Sequence, residues 1–270
     1  MSRYVIVGAG GVGAALYAGL SDAGFESVLV SRRGAPKFTH LGRTRVLDVV
    51  DDVELRDDDI VVLAVKTQDV NAAAARWRGP ETVVTVQNGL EAERVAARYF
   101  PRVVGAVTLT AATHVVPGEI TVHNAPKYGQ LILDSEPIAR DLRAANWLTQ
   151  AVDDIGRWKA WKLTRAVEFV TDVLDADGTA LRKEAETVLR ASGYDFADPA
   201  SEVEYDPSEA AVDLSYGPRS TQQSVLRGVP TEVDYLNGEI VLLARLHGLE
   251  APLNAAVQRG VHTDERLVPA

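Results

Sequence analysis

The chain has no cysteine, so disulfides, thiolate nucleophiles and thiolate metal ligands are excluded. Histidine is sparse as well, and none of the five has ligand spacing such as H-E-x-x-H. His114 and His123 flank Pro117-Gly118 in an expected hairpin and read as structural or exposed, so no metal site is expected. Long apolar runs are missing too. The longest aliphatic stretch, Ile60 to Val65, is far short of the roughly 20 residues that cross a bilayer. There is no surplus of basic residues. The formal net charge is −10 and the pI about 5.0, which argues against a general nucleic-acid or anionic-membrane surface. A small cationic pocket for an anionic ligand is still allowed. The first apolar run, "YVIV", has no signal-peptide layout around it. A soluble cytoplasmic protein is expected, with no nucleic-acid or membrane partner.

What is present is ample apolar material. With 270 residues and 46% hydrophobic content, the chain can build one large domain or two ordinary ones around a substantial core. Residues 4–7, "YVIV", suit a buried parallel strand. "GAGGVG" follows, with Gly8, Gly10 and Gly13 in the G-x-G-x-x-G register. "AALYAGLSDAG" then shows helical periodicity to Gly24, and "SVLV" at 27–30 reads as a second strand. This is a βαβ unit for binding a dinucleotide. Gly8 permits the tight turn, Gly10 the approach of a pyrophosphate, and Gly13 close helix packing. Gly8, Ala9, Gly10, Gly11, Val12 and Gly13 make up the expected phosphate loop, at a helix N-terminus that favours anions.

The end of the second strand selects the dinucleotide. An NAD site usually places Asp or Glu there, against the ribose 2′-hydroxyl. This chain has Ser31, Arg32 and Arg33, which suit a 2′-phosphate, so NADP(H) is the expected cofactor. Either arginine could make the main contact. Glu26 precedes the strand. Two further strands, 59–65 and 82–89, end at Lys66 and at Gln87-Asn88-Gly89, where open α/β sheets bind ligands. "GQLIL" at 129–133 reads as a last strand, and "PIARDLRAANWLTQAV" as a helix.

From residue 155 helices dominate. The expected division is an α/β, Rossmann-type dinucleotide-binding domain over 1–154 and an all-helical domain over 155–270. Residues 195–209 are acidic, carry two prolines and read as a long loop or frayed connection. "PTEVDYLNGEIVLLARLHG" reads as one helix starting at Pro230-Thr231. Two charges lean toward apolar faces. On the helix around 157–174, Lys162 lines up with Ala166, Phe169 and Val173. It could snorkel to water or serve as a buried acid. Glu232 leans toward Leu236 and Ile240, which a helix dipole alone would tolerate.

Taken together, "VGAGGVG", "AVKTQD", "QNGL", Trp161-Lys162-Leu163 and the stretch from Ser220 through "GVPTEVDYLNG" resemble the ketopantoate reductase family across nearly the whole chain. The resemblance implies a Rossmann domain, a helical domain and an active site in the cleft between them. It implies NADPH-dependent reduction of a 2-keto acid, ketopantoate to pantoate, in pantothenate and coenzyme A synthesis. Lys162 resembles the family's proton donor, and Ser220 a substrate-binding serine. Lys66 and Asn88 resemble residues near the nicotinamide and substrate, and Glu232 the glutamate at the nicotinamide ribose. The partner is then a small-molecule substrate, with a homodimer allowed. One departure stands out. Where family members usually carry asparagines after the lysine, this chain has Ala166, Phe169 and Val170. A less polar ketone, 2-keto acid or imine is the alternative substrate, and a non-catalytic NADP(H)-binding protein a further one.

Overall fold

The structure is a computed structural model and describes residues 2–212, 217–264 and 267. The chain divides into two compact units. The first holds residues 1–87, 92–155 and 203–217, and the second holds 88–91, 156–202 and 218–270.

The first unit carries thirteen strands among the described residues. They are β1 (Tyr4–Val7), β2 (Ser27–Val30), β3 (Lys37–His40), β4 (Arg43–Val46), β5 (Ile60–Leu63), β6 (Thr82–Thr85), β7 (Arg102–Leu109), β8 (Ala112–Thr113), β9 (Glu119–Val122), β10 (Asn124–Pro126), β11 (Gln130–Leu133), β12 (Leu148–Ala151) and β13 (Ala210–Val212). Seven form one sheet in the order β12-β11-β7-β6-β5-β1-β2. It is parallel except where β11 runs against β7. Apolar residues alternate between its two faces, as period-2 geometry requires. Tyr4 and Ile6 join one core layer with α1 (Gly11–Asp22). Val5 and Val7 join another with α2 (Val70–Arg76) and α3 (Glu91–Ala96). The first layer also takes Ile138 and Leu142 of α4 (Glu136–Ala144). Helices on both faces make this a doubly wound sheet, and its strand order reverses between β1 and β5.

A four-stranded sheet, β4-β3-β9-β8, and the pair β10-β13 complete this unit. The His114–His123 hairpin is the antiparallel β8-β9 pair, closed by a Thr113 Oγ1 contact to His123 Nε2 at 3.0 Å.

The regular elements of the second unit are all helices among the described residues. Besides most of α5 (Ile155–Ala166) it contains α6 (Gly178–Ala191), α7 (Pro199–Glu202), α8 (Ser220–Leu226), α9 (Asn237–Leu246) and α10 (Pro252–Thr263). Its core is built from Leu163, Ala166, Val167, Val170, Leu181, Val188, Ile240 and Leu243, among others. Burying each of the Val, Leu and Ile side chains stabilises the fold by about 1.5–3 kcal/mol.

Four expectations need correction. The helix expected over 137–152 stops at Ala144. Asn146 turns the chain left-handed at φ +66° and donates its amide to the Pro126 carbonyl. Leu148–Ala151 is then free to extend the sheet beyond β11, so 129–133 is not the last strand. The acidic loop is not simply part of the second half: from residue 203 it belongs to the first unit, where β13 pairs with β10. The Lys162 helix changes to 3-10 winding over Val167–Asp172. Asn237 Nδ2 donates to the Val167 carbonyl at 3.0 Å, taking the acceptor that a continuing α-helix would offer to residue 171. The helix expected from Pro230 starts at Asn237 instead. Val233–Tyr235 forms a 3-10 turn, and Leu236 at ψ −83° separates it from α9.

Candidate functional site

In the first unit the candidate residues gather at the carboxyl ends of β1, β2 and β5, beside the point where strand order reverses. Gly8 has φ +112°, and a β-carbon there would meet the Ala64 carbonyl oxygen at 2.8 Å. A β-carbon on Gly13 would fall 2.0 Å from the Gly8 oxygen. One on Gly11 would fall 2.8 Å from the Ala112 β-carbon, so the extra glycine is needed for packing on β8. Gly10 differs, because a β-carbon there meets nothing within 4 Å. It caps α1 and offers no side-chain hydrogen bond to the first N–H groups of the helix. Ala9 and Val12 are partly buried against the core beside it.

Ser31 is buried. Its hydroxyl accepts the Arg33 N–H at 3.2 Å and lies 3.4 Å from the Gly34 carbonyl oxygen. The serine therefore shapes the turn that carries Arg32 and Arg33. Both arginines are exposed, and neither forms an ion pair among the described residues. Glu26 is committed elsewhere, to Arg56 at 2.8 Å, and that guanidinium holds its carboxyl below the usual range.

Lys66 is half-buried at the start of a 3-10 turn, Thr67–Asp69, just past β5. Gln87, buried just past β6, donates to the Leu63 and Val65 carbonyls at 2.7 and 2.9 Å. It thus braces the backbone that leads into Lys66.

The remaining candidates lie in the second unit. Asn88 is half-buried and opens the short 88–91 segment. Gly89 follows at φ +87°, where a β-carbon would meet the Tyr235 carbonyl oxygen at 2.6 Å. Leu90 enters the helical core. Lys162 is half-buried on α5, its Nζ 5.8 Å from the centre of the Phe169 ring. Burial, with a smaller contribution from Arg165, pushes its pKa down to about 8. An ammonium on an ordinary surface would titrate two to three units higher.

Phe169 meets a second cation. Arg219, immediately before Ser220 and α8, lies with Cζ 5.1 Å from the same ring. Its guanidinium grips both carboxylate oxygens of Asp172, with Nε 2.8 Å from Oδ2. Its Nη2 also donates to the Glu168 carbonyl and the Thr171 hydroxyl, each at 3.2 Å. The start of α8, carrying half-buried Ser220, is thereby tied to the 3-10 segment that follows Lys162. Glu232 is a buried carboxylate at 9% exposure, leading into the Val233–Tyr235 turn. Ala166 and Val170, at 0% and 1% exposure, are core residues and present no open surface.

Sequence reasoning missed Lys159, which is buried with its Nζ 3.5 Å from the Gly89 carbonyl oxygen. Its spacing of three from Lys162 was the available signal, since i and i+3 share a helix face. It also missed the bracing role of Gln87 and the Arg219–Asp172 fork, which no local pattern announces. No cluster of His, Asp or Glu suited to a metal occurs among the described residues, and no described helix is long and apolar enough to cross a membrane.

The family model described as ketopantoate reductase PanE/ApbA matches residues 4–134, and its C-terminal counterpart matches 170–265. A 2-dehydropantoate 2-reductase of Archaeoglobus fulgidus is 28% identical over 94% of this chain and 95% of its own length. Among solved structures, D-mandelate dehydrogenase in a ternary complex with NADH and anilino(oxo)acetate aligns with a TM-score of 0.81. It shares 18% identity over 98% of this chain and 99% of its own. The 2-dehydropantoate 2-reductase of Geobacter metallireducens aligns at 0.76, with 21% identity over 95% and 98% of the two chains. At these identities the solved structures are similar in fold.

Proposed function

Because the chain belongs to the ketopantoate reductase family, we propose that it reduces a 2-keto acid with NADPH, ketopantoate to pantoate being the first candidate reaction. The observation that carries this reading is Lys162, an ammonium held half-buried beside an aromatic ring with its pKa brought to about 8. A group with a pKa near working pH is suited to give up a proton in a transition state.

The residues present fit a dinucleotide. A β-carbon on Gly10, the residue that caps α1, would meet nothing within 4 Å, and two unpaired guanidiniums stand just past β2. In the proposal, the N–H groups of Gly10–Gly13 hold the pyrophosphate, and Arg32 and Arg33 hold the 2′-phosphate. Lys66, Asn88 and Glu232 bind toward the nicotinamide end. Bound there, the cofactor supplies hydride to the substrate carbonyl carbon. Lys162 stabilises the charge growing on the carbonyl oxygen and then transfers its proton to it. Ser220 and Asn88 orient the substrate by hydrogen bonds. Lys159 and Gln87 hold the backbone of the 88–91 and 63–66 segments. A cytoplasmic setting and a role in pantothenate synthesis belong to the same proposal. So does a homodimer, for which sedimentation is the test.

A less polar 2-keto acid is the second reading, favoured by the Phe169 ring beside Lys162. NADPH oxidation followed at 340 nm with ketopantoate and a panel of 2-keto acids tests the proposal. Turnover with at least one acid is expected. Tight NADPH binding without turnover on any of them would leave a non-catalytic binding protein.

A further inference from the structure

The proton donor fixes where the rest of a substrate must lie. A carbonyl oxygen receiving the Lys162 proton sits about 3 Å from Nζ. The substituent on the carbonyl carbon is then a few ångströms further on, and Nζ is itself 5.8 Å from the centre of the Phe169 ring. Phe169 is half-buried and so keeps part of its surface exposed. It is also held in place. Arg219 lies 5.1 Å from it, and its guanidinium is directed into Asp172, Thr171 and the Glu168 carbonyl. A guanidinium whose charge is met by Asp172 is a brace more than a receptor for a substrate carboxylate. The neighbouring Ala166 and Val170 are sealed in the core and contribute no amide.

We propose that Phe169, braced by the Arg219–Asp172 fork, determines the substrate class of this protein: 2-keto acids with an aryl or branched aliphatic substituent, ahead of those whose substituent carries a hydroxyl. The inference rests on the reductase reading and, within it, favours the second substrate reading, a less polar 2-keto acid, over ketopantoate. An aromatic wall gains contact with an apolar group and leaves a hydroxyl without a partner. Apolar sites reject an added hydroxyl only modestly, by up to about 100-fold. Arg219 and Asp172 act as positioning residues, through the ring and through the start of α8.

The test is kcat/KM with NADPH for phenylglyoxylate, 2-ketoisovalerate and ketopantoate. The unmodified protein should favour the first two over ketopantoate by about 10- to 100-fold. Phe169→Asn should shrink that ratio at least tenfold with NADPH affinity unchanged. Phe169→Leu, which keeps the site apolar, should retain the preference for 2-ketoisovalerate. Arg219→Gln should raise KM for phenylglyoxylate more than it lowers kcat. A preference for ketopantoate, or a ratio that Phe169→Asn moves by less than about twofold, overturns the inference and leaves the reductase reading standing. Failure to oxidise NADPH with any of the three acids overturns both. The ranking of substrates by the unmodified protein decides the matter even where a variant does not fold.

Discussion

The carbonyl oxygen of Gly8 lies where only a hydrogen on Gly13 can face it, since a β-carbon on Gly13 would come within 2.0 Å. Gly10, between them in the same loop, has open space around the corresponding position. Gly13→Ala should therefore disrupt the βαβ unit itself, lowering the melting temperature sharply or preventing folding. Gly10→Ala should fold normally and lose NADPH affinity. Thermal melts and cofactor titration on the two variants distinguish packing from ligand approach.

Arg32 and Arg33 have exposed guanidiniums with no ion pair among the described residues, so their removal should cost little stability. The double variant Arg32→Ala, Arg33→Ala should weaken NADPH binding by more than tenfold while leaving NADH nearly unchanged. Isothermal titration with both cofactors gives the answer. Equal affinities in the unmodified protein would remove the basis for assigning a 2′-phosphate site.

Lys162 should show itself in pH profiles of two kinds. The ammonium form is the proton donor, so reductive turnover should fall as pH rises through about 8. Lys162→Ala should lower kcat by roughly 10²–10⁴-fold with NADPH affinity within a few-fold. Stability should move the other way. Below about pH 8 both folded and unfolded chains carry the proton, and the cost of the half-buried charge is felt in full. Between about 8 and the ordinary value of 10.5, only the unfolded chain keeps it, so this group makes stability rise with pH. Lys162→Met should thus stabilise the protein at pH 7 and lose that advantage by pH 10. Urea melts at several pH values would reveal the trend.

Ala166 invites the substitution to asparagine that would restore the usual family pattern, and the structure argues against it. The residue is fully buried among Leu163, Val167 and their neighbours. An amide there loses its water without gaining a partner, at a cost of about 1–3 kcal/mol. Ala166→Asn should lower the urea midpoint and fail to improve ketopantoate turnover. Improved turnover with unchanged stability would show that position 166 reaches the substrate after all.

The β1-α1-β2 unit was legible because glycine and strand periodicity are local signals, and residues 27–30 matched a strand in full. Strands β3 and β4 were not seen. They are short and carry Lys37, Arg43 and Arg45; β3 pairs with a strand far along the chain, as Lys37 does with Glu119, and the exposed edge strand β4 pairs only with β3. Helical periodicity put both Ala166 and Phe169 in line with Lys162. The ring of Phe169 does meet Lys162, whereas Ala166 turns into the core. The change in winding that follows depends on an amide seventy residues away, on Asn237. Arg219 and Asp172 are similarly distant in sequence, so their fork could not be read locally.

The pairing of β10 with β13 bears on how this polypeptide can be divided. Asn124 Nδ2, buried in the first unit, donates to the Ala210 carbonyl, and its Oδ1 accepts the Ala111 N–H. A gene fragment ending at residue 155 would omit that strand, strip the edge of β10 and leave the Asn124 amide without its acceptor. Cofactor-binding fragments made by a single cut after α4 and β12 should be poorly soluble. Those that restore residues 203–217 through a short linker replacing 156–202 should express as folded protein.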